Sequence, residues 1–112
     1  MVKVLTMLDI IFRKHGFVVA AGLLVYGRHL DILVDLLFDR TDAEETARAH
    51  VCFTESLEAC TAAGYGLYRT NTAFMEQAAA AYGPVQMDVN KRLKRALDPN
   101  GIIAPGKSGI YV

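Results

Sequence analysis

Apolar positions change their period several times along this chain, and each change marks an element. Val4, Leu5, Leu8, Ile11 and Phe12 recur at the spacing of one helix face, and Lys14, His15 and Gly16 close the pattern with cations and a helix-stopping glycine. The spacing predicts a helix over residues 2–15. From Phe17 to Tyr26 the apolar run is continuous, partly β-branched and interrupted by Gly22, which predicts a strand buried on both faces. Gly27 and Arg28 then turn the chain. Leu30, Ile32, Val34, Leu36 and Phe38 are apolar while the positions between them include Asp31, Asp35 and Asp39, a period of two that predicts a second strand, hairpinned to the first, with one buried face. Asp31 and Asp35 have the chemistry of a catalytic carboxylate pair, but a solvated strand face accounts for the same alternation.

The second half reads as helices. Thr41-Asp-Ala-Glu44 has the form of a capping box, in which hydroxyl and carboxylate each satisfy an orphan backbone donor, so a helix starts near residue 42. Ala49, Phe53, Leu57 and Cys60 mark its inner stripe, and Gly64 stops it. A short extended segment over 66–70 follows. Asn71 or Thr72 caps another helix through Ala80, with Phe74 and Met75 turned inward. Gly83-Pro84 opens the last helix, where proline at the first turn loses no hydrogen bond, and Val85, Val89, Leu93 and Leu97 form its expected buried stripe. Asp98-Pro99 ends it. The class is α+β: an antiparallel hairpin with packed helices, then a C-terminal helix and a turn-rich tail.

Composition narrows the partners. With 53% hydrophobic and 21% charged residues, the 112-residue chain is expected to fold as one domain. Twelve basic and twelve acidic residues cancel, so no global field recruits nucleic acid or an anionic membrane. Lys91, Arg92, Lys94 and Arg95 cluster on the last helix, but without interleaved aromatics they read as a solvated face. Cys52 and Cys60 lie roughly 12 Å apart along one helical pattern, too far for a disulfide, and neither they nor His15, His29 and His50 have zinc spacing. No metal is expected. The longest apolar run is about half a membrane span, and no signal-peptide pattern opens the chain, so the expectation is a cytoplasmic protein. Its first residues already belong to a helix, as in an internal slice of a longer protein.

Candidate chemistry sits in Gly64-Tyr-Gly-Leu-Tyr-Arg-Thr-Asn71. The phenol of Tyr68 and the permanently charged guanidinium of Arg69 stand side by side on a glycine-framed segment, a donor pair suited to an oxyanion. Gly101-Ile-Ile-Ala-Pro-Gly-Lys-Ser108 matches the phosphate-loop pattern letter by letter, but it follows a helix instead of a strand, and Pro105 removes an amide donor. Four residues after Ser108 leave no room for the helix that such a loop opens. The stretch reads as a turn that carries Lys107.

Leu67-Tyr-Arg-Thr-Asn-Thr-Ala-Phe-Met-Glu-Gln77, a spacer containing Tyr82, and then Arg92-Leu-Lys-Arg-Ala-Leu-Asp-Pro-Asn-Gly-Ile-Ile-Ala-Pro-Gly-Lys-Ser-Gly109 resemble the C-terminal end of the vanillyl-alcohol oxidase and p-cresol methylhydroxylase flavoproteins. The Asp-Pro and Pro-Gly-Lys elements resemble FAD-linked oxidases broadly, and Tyr-Arg-Thr followed by Ala-Phe-Met narrows the likeness to oxidases of 4-substituted phenols. The resemblance implies part of a ferredoxin-like cap domain over 1–82 and a helix and tail over 83–112 that return to an FAD-binding domain. It implies catalytic roles for Tyr68 and Arg69 on the phenol oxygen of a substrate oxidised at its benzylic carbon through a quinone methide. Arg69 and Lys107 are implied on the cofactor side, near FAD.

Two departures stand out: Asn71 where that family carries histidine after Tyr-Arg-Thr, and Asp31-Ile32, after His29, where its second strand often carries a histidine pair. The family's N-terminal FAD-binding domain has no counterpart in the residues present, so FAD is expected to be held mainly by a domain or subunit outside this chain. Alone, the chain is expected to be inactive. A second copy or a cytochrome is left open as a partner of the parent enzyme. The alternative reading is a non-catalytic α+β interaction or oligomerisation module.

Overall fold

The computed structural model describes residues 2–112. The chain divides into two compact units, Met1–Ala59 and Cys60–Val112. The elements in order are α1 (Val2–Lys14), β1 (Ala20–Tyr26), β2 (His29–Asp35), α2 (Ala43–Ala62), α3 (Met75–Ala79) and α4 (Gly83–Leu97). Single 3-10 turns flank α3, at Thr72–Phe74 and Ala80–Tyr82, and another lies in the tail at Lys107–Gly109. No helix among the described residues is long and apolar enough to cross a membrane.

In the first unit, the sequence stops α1 as its glycine predicts. Gly16 takes φ +81°, its N–H reaches the Arg13 carbonyl at 3.1 Å, and the Phe17 N–H reaches the Phe12 carbonyl at 2.8 Å. That paired closure satisfies two orphan carbonyls and turns Phe17 back onto Phe12. Phe12 and Phe17 then join Ile11, Ala49 and Cys52 in the core, with Val34, Leu36 and Phe38 packed against them. Each fully buried phenylalanine contributes about 1.5–3 kcal/mol of transfer free energy. Burial also pushes the Cys52 and Cys60 thiols up from their ordinary range, and both are free.

The hairpin forms with antiparallel register from Ala20↔Asp35 to Tyr26↔His29, and Gly27 and Arg28 turn it. Its burial differs from expectation. Residues 21–26 of β1 are exposed, Val25 to 78%, instead of being buried on both faces. The sheet has two strands, so a continuous apolar strand has one neighbour and no second layer to cover it. In β2 the alternation is also muted, since Asp31, Ile32, Leu33 and Val34 are all half-buried. The strand ends at Asp35, and an irregular segment delivers Leu36 and Phe38 to the core.

The cap of α2 shifts by one residue. Asp42 Oδ1 accepts from the amides of Glu44 and Glu45 at 2.8 and 3.0 Å, while the Thr41 hydroxyl donates to Asp39 Oδ1 at 2.7 Å. The buried stripe of α2 is Ala49, Cys52, Ser56 and Leu57, with Phe53 and Cys60 half-buried, a face rotated slightly from the predicted one. Glu55 on this helix accepts from Lys14 Nζ at 2.8 Å and lies 2.7 Å from His15 Nε2, tying the end of α1 to α2.

In the second unit, Gly64 at φ +79° ends α2 by the same closure as Gly16: its N–H reaches the Thr61 carbonyl at 3.0 Å, and the Tyr65 N–H reaches that of Cys60 at 2.9 Å. Helix α4 begins with Gly83-Pro84 as expected, but its apolar stripe is not buried: Val85 is 79% and Leu97 80% exposed. Covering fifteen residues needs a partner of comparable length, and α3 has five.

The Lys14 hydrogen bond, followed by that of His15, lowers the Glu55 pKa from its ordinary 4.5. A depressed carboxylate stabilises the fold fully above its unfolded value and loses that contribution as pH falls through the folded one. Glu55→Gln is therefore expected to lower the urea midpoint at pH 7, with the difference from the unsubstituted chain closing as the pH falls below the ordinary carboxylate range. A gap that persists at low pH would show that Glu55 acts through packing instead of charge.

Candidate functional site

Two anchors frame the segment that carries Tyr68 and Arg69. Gly64 closes the preceding helix, and Asn71 caps the following 3-10 turn, its Oδ1 accepting from the Ala73 amide at 3.0 Å. Between them residues 66–71 form neither helix nor strand. Asn71 thus uses its side chain locally, as a cap. Phe74 is buried as predicted and Met75 is half-buried.

The tail folds back on α3. Gly109 approaches so closely that a Cβ there would stand 2.5 Å from Ala79 Cβ, and its φ of +65° independently favours glycine. On either side of it, the Ser108 amide donates to Met75 Sδ at 3.3 Å and the Tyr111 hydroxyl donates to Glu76 Oε1. That bond to Glu76 pushes the Tyr111 phenol up from its ordinary value. Positive φ at Ala104, Gly106 and Ser108 makes residues 104–108 a tight multiple turn, and a 3-10 turn follows in place of the α-helix a phosphate loop would open.

The consequence is a cavity of about 190 Å³ in which Tyr68, Arg69 and Lys107 come together despite their distance in sequence. Thr70, Tyr82 and Ser108 line it too, over a floor that includes Met75 and Ala78. Sequence reasoning named the first three and missed the contribution of Tyr82. Its signal was available: Met75, Ala78 and Tyr82 follow the i, i+3, i+7 spacing of one helical face. Thr70 Oγ1 is buried at this wall without a hydrogen-bond partner.

Chemically the cavity lining carries two cationic side chains and two phenols, with no carboxylate, which suits an anionic oxygen. Tyr68 is 65% exposed, so it stands at the rim. The volume lies below the roughly 300–1,000 Å³ of ordinary small-molecule pockets. The residues fit one anionic edge of a ligand, of the kind a phenolate or a flavin ring presents, and do not enclose a whole dinucleotide. The exposed sheet carries no comparable arrangement: His29 stacks on Tyr26 with ring centroids 5.3 Å apart, and Asp31 is half-buried while Asp35 is exposed.

Comparison with known proteins gives a consistent family. The family model described as FAD linked oxidases, C-terminal domain, matches residues 4–108. The chain is 44% identical over 100 residues to the flavoprotein subunit of a hydroxylating 4-cresol dehydrogenase of Pseudomonas putida, a match covering 89% of this chain and 19% of that protein. It is 36% identical over 83 residues to a 1'-carboxy-chondrochloren decarboxylase of Chondromyces crocatus, covering 71% of this chain and 15% of that protein. Among solved structures it matches p-cresol methylhydroxylase with substrate bound, at TM-score 0.93 and 42% identity over 97% of this chain and 21% of the other. It also matches the isoeugenol complex of a 4-ethylphenol oxidase from Gulosibacter chungangensis, at TM-score 0.92 and 31% identity over 98% of this chain and 22% of that one. The chain spans about a fifth of the length of these relatives.

Because the tail reaches the cavity through Gly109, this glycine is the most sensitive position outside the lining. Gly109→Ala is expected to destabilise the second unit by about 1–2 kcal/mol from its backbone conformation alone, and further from the contact with Ala79. Adding Ala79→Gly should restore the steric part and leave the conformational part, a comparison made by urea denaturation of both variants. Equal stability of Gly109→Ala and the unsubstituted chain would mean that the tail does not bind at this point.

Proposed function

Since the chain belongs to the family of FAD-linked oxidase C-terminal domains, we propose that it forms one wall of the active site of an oxidoreductase that oxidises 4-substituted phenols at the benzylic carbon. FAD is the cofactor of this family, held mostly by other domains, and when bound it supplies a two-electron acceptor for hydride. The observation that carries the reading is the meeting of Tyr68, Arg69 and Lys107 in one cavity.

Each residue has a separate task. A phenol titrates near about 10, and a cation within hydrogen-bonding reach lowers that by roughly 1–3 units. Arg69 supplies this charge and, unlike lysine, keeps it when water is excluded. Tyr68 donates a second hydrogen bond to the same oxygen. Held as phenolate, the substrate releases electron density towards its para position, which favours departure of hydride from the benzylic carbon and leaves a quinone methide for water or deprotonation to resolve. Fixed donors aimed at the developing charge are this chain's contribution. Lys107 stands at the cofactor side with Arg69, where negative charge accumulates.

In this reading the chain is a fragment of a longer cytoplasmic enzyme, residues 1–82 forming part of the substrate-side cap and residues 83–112 returning to the FAD-binding domain. That the Pseudomonas putida relative is the flavoprotein subunit of its enzyme supports a further subunit as partner. The exposed hairpin favours a second reading, a non-catalytic interaction module. Affinity for phenols separates the two, since a module has no use for it.

Mixed with a separately produced FAD-binding subunit of the same family under anaerobic conditions, the chain is expected to allow flavin bleaching by 4-methylphenol. Arg69→Met should weaken phenol binding by roughly tenfold to a hundredfold, in keeping with about 1.5–3 kcal/mol for a hydrogen bond to a charged group, and Tyr68→Phe should weaken it less. Bleaching no faster than with the subunit alone, together with unchanged binding in Arg69→Met, would overturn the proposal.

A further inference from the structure

Lys107 enters the cavity at the end of a loop whose other end is fixed by one buried carboxylate. Asp98 is 6% exposed, the residue at which α4 stops. Its Oδ1 accepts from the Ile102 amide at 2.9 Å, and its Oδ2 accepts from the Ile103 amide at 2.8 Å and from Lys94 Nζ at 2.5 Å. Lys94 also donates to the Ile103 carbonyl, and the Gly101 amide reaches the Asp98 carbonyl at 3.0 Å. Lys94 is itself largely buried, its side chain 14% exposed. A salt-bridged lysine on a helix usually contributes little at the surface, but here both partners are withdrawn from water and tied to the backbone that follows.

The spatial continuity is direct. Asp98, Lys94, Ile103, Ala104, Lys107 and Ser108 border a single open groove of about 450 Å³, and Lys107 and Ser108 form the ridge between it and the Tyr68–Arg69 cavity. Upstream the Asp98 hub holds the turn, and downstream Gly109 holds it against α3. The Lys94 hydrogen bond, with both amides acting in the same direction against burial, keeps Asp98 below the ordinary carboxylate range, so the hub is charged at neutral pH.

We propose that Asp98 is a positioning residue: together with Lys94 it fixes the turn at 101–106 so that the Lys107 ammonium is presented to the cavity that Tyr68 and Arg69 line, where it adds to the charge felt by any anion bound there. This rests on the phenolate-binding reading above and adds to it a residue that touches neither substrate nor cofactor. An anion in the cavity then feels two cations, one delivered by the clamp segment and one by the tail.

The test is a coupling measurement on the 112-residue chain with 4-nitrophenol, whose phenolate is coloured, as the probe. Asp98→Asn is expected to weaken nitrophenolate binding about fivefold to tenfold, and Lys107→Met by a similar factor. Combined, the two should be no worse than Lys107→Met alone within about twofold, because residues acting through one group are not additive. Lys94→Gln leaves both amide contacts of Asp98 in place and should cost about threefold, again only while Lys107 is present. Additive losses in the Lys107→Met background would overturn the inference, as would unfolding of both Asp98→Asn and Lys94→Gln in circular dichroism, which would make the hub purely structural. If Arg69→Met abolishes binding while Asp98→Asn leaves it unchanged, the positioning role alone falls. If neither Arg69→Met nor Lys107→Met changes binding, the phenolate reading falls and takes this inference with it.

Discussion

The second unit depends on a contact that admits a hydrogen atom and nothing larger. At Gly109 the tail backbone lies against Ala79 of α3, and a methyl group there would overlap it at 2.5 Å. Close approach brings the Ser108 amide to the Met75 sulfur and the Tyr111 phenol to Glu76, so residues 108–111 of the tail are registered on one short helix. The same helix is joined to the Tyr68–Arg69 segment through the Asn71 cap. A five-residue helix has little intrinsic stability in water. Here it is held from both sides by the segments it brings together, which makes the cavity and the helix mutually dependent.

Polar satisfaction and apolar burial are unevenly distributed over the chain. Both long helices that end in glycine close their carbonyls with the same paired hydrogen bonds, and the helix starting at Ala43 is capped by Asp42. By contrast, large apolar side chains remain uncovered on β1 and along α4. Contiguous exposed apolar patches beyond a few hundred Å² mark surfaces that meet other protein. Relatives about five times as long, matching this fold over nearly its whole length, contain ample chain to meet such surfaces.

What the sequence made legible was local. Helix ends at Gly16 and Gly64, the hairpin turn at Gly27, the proline start of α4 and the stop at Asp98 each follow from one or two residues whose backbone preferences leave few choices. Burial was less legible. The run from Phe17 to Tyr26 and the stripe from Val85 to Leu97 have the composition of buried faces, but periodicity reports which side would be covered and says nothing of whether a covering element is present. The cap of α2 was missed for a related reason: Thr41 and Asp42 both have capping chemistry, and the helix starts one residue later, so Asp42 Oδ1 meets the first free amides while Thr41 donates to Asp39. Tyr68, Arg69 and Lys107 were legible as a set because a resemblance linked them. Nothing in their local sequence brings the tail lysine to the cavity lined by Tyr68 and Arg69; the close approach of Gly109 to Ala79, a long-range contact, folds the tail back onto α3.

Exposure decides how much these cations achieve. Two unit charges 4 Å apart interact by about 1 kcal/mol in bulk water and about 4 kcal/mol at the effective dielectric of a protein surface. Tyr68 is 65% exposed at the rim, so an anion bound here as proposed would lie largely in water, where the Arg69 and Lys107 charges stabilise it only weakly. Catalysis as proposed needs the larger value, because the developing charge must be stabilised beyond what water already provides. On the proposed function, that regime requires protein or cofactor to cover the rim. In the proposed reading, selection of the anion belongs to this chain, and the strength of its stabilisation to whatever closes over it.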